Sequence, residues 1–163
     1  MHIETTGLLE DVRHHLLRMR LVTSLFLLTV PAAGVGAFFL PRRRLAAVSP
    51  PAVLAITALI AAWYAFTINR FAARRLYRVR ESFDSHGNVR RLLSGHFQTH
   101  LRVLIRLEVI VLCGLINAES GAGPHTTVWY VLAAGLLMLL AWPTEHKTML
   151  LLRRVGAIGP RHP

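Results

Sequence analysis

Three stretches of the chain carry no lysine, arginine, aspartate or glutamate: 21–41, 45–69 and 120–144, the last with one titratable residue, His125. An apolar helix of about 20 residues, rising about 1.5 Å per residue, crosses a hydrocarbon core roughly 30 Å thick. The three runs therefore predict membrane-spanning helices over about 21–40, 52–69 and 127–143. A fourth helix is less cleanly written. The uncharged core 109–118 is too short to cross a bilayer alone, and a span over about 101–118 must take in Arg102, Arg106 and Glu108.

The polar segments between these runs also read as helical. Over 7–20, Leu8, Val12, Leu16 and Met19 share one face, with Glu10, Arg13, His14 and Arg18 mostly elsewhere. Such a segment is expected to lie at headgroup level and lead into the first span. Pro31, with Gly34 and Gly36, predicts a kink in that span. In the second span Ala55, Ala58, Ala62 and Ala65 form a smooth face for close helix packing, and Trp63 and Tyr64 suit a headgroup interface. Nothing breaks the helix after Arg70, where Arg70, Arg74, Arg75, Arg78 and Arg80 follow one another. The turn composition of 84–88 ends that arm, and a second basic helix from about 89 feeds the third span, with a break expected at Ser94-Gly95. The two arms make a basic helical hairpin over about 70–100. A last amphipathic stretch covers 144–155.

Charge sets the orientation. With four spans, 3 Lys and Arg precede the first, 9 lie between Arg70 and Arg106, and 4 follow the fourth, against 3 on the other side, Arg42, Arg43 and Arg44. The positive-inside rule then places both termini and the hairpin in the cytoplasm. The first span with its small residues at 32–37 has some signal-peptide character, but Glu4, Glu10 and Asp11 before it and the apolar residues after it favour an uncleaved helix. The expected protein is an all-α, multi-pass integral membrane protein of a bacterial cytoplasmic (inner) membrane. It forms a single domain over 1–163: a four-helix transmembrane bundle with cytoplasmic helical extensions and flanking interfacial amphipathic helices.

Composition agrees and narrows the function. Of 163 residues 53% are hydrophobic, and the mean hydropathy is +0.45. The net charge of +11 would point to nucleic acid in a soluble chain, but no nucleic-acid fold signature accompanies it. Arginines flanking spans contact anionic headgroups instead, and Arg70, Arg74, Arg75, Arg78 and Arg80 are the expected lipid or partner contacts. The lone Cys113 excludes an intrachain disulfide and a multi-cysteine metal site. With only eight acidic residues, and no nucleophile elbow, zinc-protease motif or phosphate-binding loop, no catalytic residue is assigned and an enzyme is not expected.

Candidate chemistry concentrates in 101–119. At 100° per residue Arg102, Arg106, Cys113 and Asn117 fall within about 60° of one another, while Glu108 and Glu119 point to a roughly opposite side. A helix with two polar faces belongs inside a bundle or at an interface. Arg102, Arg106 and Glu108 either snorkel to headgroups and pair between helices, or line an ion or substrate path with Asn117. Histidine is the second cluster: His14, His15, His96, His100 and His146 all fall near the cytoplasmic boundary. His96 and His100, four apart, are weak candidates for metal or haem ligation. No cofactor is assigned. The leading expectation is an accessory or scaffold subunit working with a membrane-protein partner or as a homo-oligomer, without nucleic acid. A small oligomeric transporter or channel is the alternative, and a metal- or haem-binding membrane protein the third reading.

Overall fold

A computed structural model describes residues 5–39, 49–86 and 89–154, and every element among them is helical. The order is α1 (Thr5–Phe39), α2 (Pro50–His86), α3 (Val89–Asn117), a π-helical turn (Ala118–Ala122), α4 (Pro124–Leu140) and α5 (Glu145–Arg154). The Arg42–Arg44 triplet and the segment after Arg154 lie outside the described residues.

The helices are longer and less broken than the sequence pattern predicts. α1 is one helix of 35 residues, so the segment 7–20 continues directly into the first apolar run. Its apolar stripe has a protein partner: Val12 and Leu16 bury against Leu92 and Leu93 of α3 and Leu152 of α5. Pro31 lies inside α1 without ending it. Neighbouring helices make proline tolerable in a membrane helix, and here α4 packs alongside, with Val30 and Gly34 against Gly135 and Val131. α2 continues through Asp84 to His86, past the expected turn start, and α3 runs through Ser94 and Gly95 unbroken. Thr99 Oγ1 donates to the Gly95 carbonyl at 2.9 Å, inside that helix.

Two turns define the ends of α4. The π-helical turn and Gly123 carry positive φ at Gly121 (97°) and Gly123 (90°), where a side chain would be strained, and Pro124 then opens α4. At its other end α4 meets α5 at 54°. Thr144 caps α5 through the Lys147 N–H, and Lys147 Nζ donates back to the carbonyls of Leu140 (3.0 Å) and Trp142 (3.2 Å). A cation on the last carbonyls of a helix is favoured by its dipole.

α3 is central. It packs against α1, α2 and α4; α1 and α4 also meet, whereas α2 is held mainly by α3 and the π-helical turn. The main core is built around Leu104, Leu107, Ile110 and Val111 of α3, closed by Val30, Ala61, Ile68, Ala134 and Met138. By length and composition α1 (over Glu10–Phe39) and α2 (over Pro51–Ile68) can cross a membrane, and α4 with α5 adds a third span if the bent pair is counted as one. α3 falls outside that count because of Arg102, Arg106 and Glu108.

α3 and α4 approach so closely at Gly114 that an added Cβ would sit 2.9 Å from Tyr130 Cβ and 3.3 Å from Thr127 Cα. At Gly34 the same atom would meet Val131 at an ordinary 3.7 Å. Gly114→Ala is therefore expected to destabilise the protein by about 1–3 kcal/mol through overpacking. Gly34→Ala should leave it unchanged or slightly more stable. Thermal unfolding of both variants in detergent checks this; equal effects would contradict the packing.

Candidate functional site

The polar groups of α3 point to three different neighbours. Arg106 lies over the Phe71 ring, its guanidinium carbon 3.7 Å from the centroid, and 5.7 Å from that of Tyr64. Both rings belong to α2, and such cation–π contact gains strength when desolvated. Glu108 turns instead to α1, where the Thr29 hydroxyl shares its hydrogen between Glu108 Oε1 and the Phe26 carbonyl. Arg106 and Glu108 are thus not brought together. Arg102, half-buried, has its Nη1 enclosed and without a hydrogen-bond partner. Cys113 is buried as a free thiol.

At the π-turn end, Asn117 is fully buried and joins a three-helix node. The Thr57 hydroxyl of α2 donates to the Val53 carbonyl at 2.9 Å. Its lone pairs then accept from Asn117 Nδ2 (2.7 Å) and Tyr130 OH (3.2 Å). Asn117 Oδ1 is left buried and unpartnered. Nearby, Thr127 Oγ1 donates to the Gly114 carbonyl at 2.7 Å, tying α4 to α3.

The opposite end is built on histidine. His15 Nε2 of α1 and His96 Nδ1 of α3 stand 3.2 Å apart, so one ring donates and the other accepts. One turn further along, Thr23 Oγ1 donates to the Met19 carbonyl (2.8 Å) and lies 2.7 Å from His100 Nε2. Since that hydroxyl hydrogen is already used, His100 Nε2–H is the donor. His96 and His100, paired in sequence, therefore serve different partners on α1. Among the described residues no group of three or more His, Cys, Asp or Glu side chains converges on a metal position.

Of the basic hairpin, the α3 arm packs on α1, with Arg90 Nε 3.1 Å from Asp11 Oδ2. On the α2 arm Arg70 lies over Phe66 at 5.1 Å and Arg74 is exposed; the side chains of Arg75, Arg78 and Arg80 lie outside the described ones. The residues that sequence reasoning missed are Thr23, Thr29, Thr57, Thr127 and Tyr130, which supply the partners named above. A signal for them existed: a hydroxyl inside an apolar run is a ready interhelical donor.

Two hollows flank these contacts. One, of about 990 Å³, lies between α1 and α5, bordered by Leu16, Leu17 and Met149 with Glu10, Arg13, Arg20 and Glu145. The other separates α2 from α4, beside the alanines expected to pack against a helix; Ala58 and Ala62 are exposed to it.

Burial, then the adjacent His15 and His100 rings, push His96 down from 6.5 to about 4. Its neutral form contributes stability that is complete above about pH 6.5 and lost as pH falls towards about 4. Thermal unfolding followed from about pH 7 to about pH 5 should show a falling midpoint, and His96→Gln should flatten that dependence. An unchanged slope would contradict the assignment. No family model, curated protein or solved structure matches this chain.

Proposed function

We propose that the chain is a non-enzymatic accessory subunit of a bacterial cytoplasmic membrane, a scaffold that binds another membrane protein or a further copy of itself. In this reading α1, α2, α3 and α4 cross the bilayer as a four-helix bundle. Both termini, α5 and the α2–α3 connection are cytoplasmic, which the arginine distribution supports. α4 is short, 17 residues, but these cover about 25 Å, and Trp129 and Trp142 stand near its two ends as interfacial anchors.

The observation that carries the reading is the hollow between α1 and α5. It sets the apolar side chains of Leu16, Leu17 and Met149 beside charges of both signs, Glu10 and Glu145 with Arg13 and Arg20, and Leu17 is 56% exposed. An apolar centre with a charged rim is how protein partners are held. The transport reading draws less support, because Arg106 and Glu108 are engaged by different helices.

Purification from native membranes in mild detergent should yield a defined partner or homo-oligomer. Leu17→Asp combined with Arg13→Glu should remove it without changing the unfolding midpoint. A monodisperse monomer carrying no partner would overturn the proposal. So would an ion flux in reconstituted vesicles that Glu108→Gln abolishes, which would favour transport.

A further inference from the structure

The hollow between α2 and α4 adjoins a second one, and together they line the facing sides of these helices. Towards the π-turn end it is about 270 Å³, lined by Ala58, Ala62, Ile110 and Ala133. Towards α5 it is about 440 Å³, lined by Ala72, Val103, Leu140 and Ala141. Ala65 and Leu137 border both parts, so the two meet at these side chains. From Ala58 to Leu76 the groove follows about 27 Å of helix, more than one leaflet of a roughly 30 Å hydrocarbon core.

A single hydrocarbon chain, little wider than a carbon–carbon contact of about 4 Å, fits the groove. The α5 end differs in chemistry, for His96, Thr99, His100 and Lys147 line it. The ammonium of Lys147 is exposed and uses two of its three hydrogens on the Leu140 and Trp142 carbonyls. No acidic side chain is among the described lining residues of either part.

We infer that this groove holds one acyl chain of an anionic phospholipid, with its phosphate against Lys147 at the cytoplasmic surface. The inference rests on the topology proposed above. It also explains the exposed alanines of α2: small side chains there leave the bed for a lipid chain where a larger residue would fill it. A cationic pocket between helices on the cytoplasmic side is a physical match for an anionic headgroup.

Native mass spectrometry of the full chain in mild detergent, titrated with phosphatidylglycerol or phosphatidylcholine, tests this. One phosphatidylglycerol should stay bound and bind more tightly than phosphatidylcholine. Lys147→Gln should weaken it roughly fivefold, the effect of one lysine near an anionic surface. Ala65→Phe, at the junction of the two parts, should abolish the adduct while the chain stays helical. If that variant does not fold, Ala62→Leu carries the same test. Equal binding of the two lipids, or an adduct that survives a filled groove, would overturn the inference. So would an oligomer that Ala65→Phe dissolves, since a second copy would then occupy the groove. A reporter fused after Pro163 reads the topology separately, and co-purification reads the partner, so loss of either is distinguishable from failure of the lipid site.

Discussion

Hydrocarbon offers no partner to a charge, an amide or a hydroxyl, so a polar side chain on a membrane helix must find one on a neighbouring helix or reach the headgroups. α3 meets this constraint on several sides at once, and the arrangement of the other helices follows. Arg106 turns α2 so that Phe71 and Tyr64 cover the guanidinium. Glu108 sets Thr29 of α1 on the other flank. Thr127 reaches the Gly114 carbonyl, and the missing side chain at Gly114 lets α4 close on α3. Each contact is weak by membrane standards, about 0.6 kcal/mol on average for one interhelical hydrogen bond. Together they specify which face of each helix turns inward, a choice that apolar packing among leucines leaves open.

The two ends of the assembly use different chemistry for the same purpose. Near the π-turn, neutral hydroxyl and amide groups meet in the Thr57, Asn117 and Tyr130 node, where titration is irrelevant. At the α5 end the partners are imidazoles, His15 against His96 and His100 against Thr23. Because α2 is held mainly on the α3 side, its opposite flank and the gap towards α4 remain open. Apart from Arg102 Nη1 and Asn117 Oδ1, these polar groups are engaged in packing, and the surfaces offer a mixed-charge hollow at α5 and an apolar groove ending at Lys147.

Much of the element pattern was legible in the sequence. Unbroken apolar runs mark α1, α2 and α4, and the Gly-rich stretch before Pro124 marks a turn, because these signals depend on neighbours a few residues apart. The third helix was legible as a two-faced polar helix for the same reason, since the angular positions of Arg106, Glu108 and Asn117 follow from helical geometry alone. Which helix each face would meet was not legible. His15 and His96 are 81 residues apart, Thr29 and Glu108 79, and Asn117 and Thr57 60, and periodicity says nothing about such pairs. The partner of the apolar stripe over 7–20 was not legible either, because that stripe has the same composition whether lipid or Leu92 and Leu152 cover it. The alanine face of α2 was read as a bed for a helix, and only the spacing of α2 from α4 distinguishes that from a groove.

The central claim is that polar side chains of α3 bond to neighbouring helices of the same chain. A double-mutant cycle on Thr57 and Asn117, with Thr57→Val, Asn117→Leu and the pair followed by unfolding in detergent, addresses it most directly. The account predicts a coupling energy of about 0.6 kcal/mol and no more than about 1.7 kcal/mol, the average and the maximum for such bonds in a membrane protein. Single effects that add to within about 0.3 kcal/mol would mean that the two residues do not meet, and would contradict it.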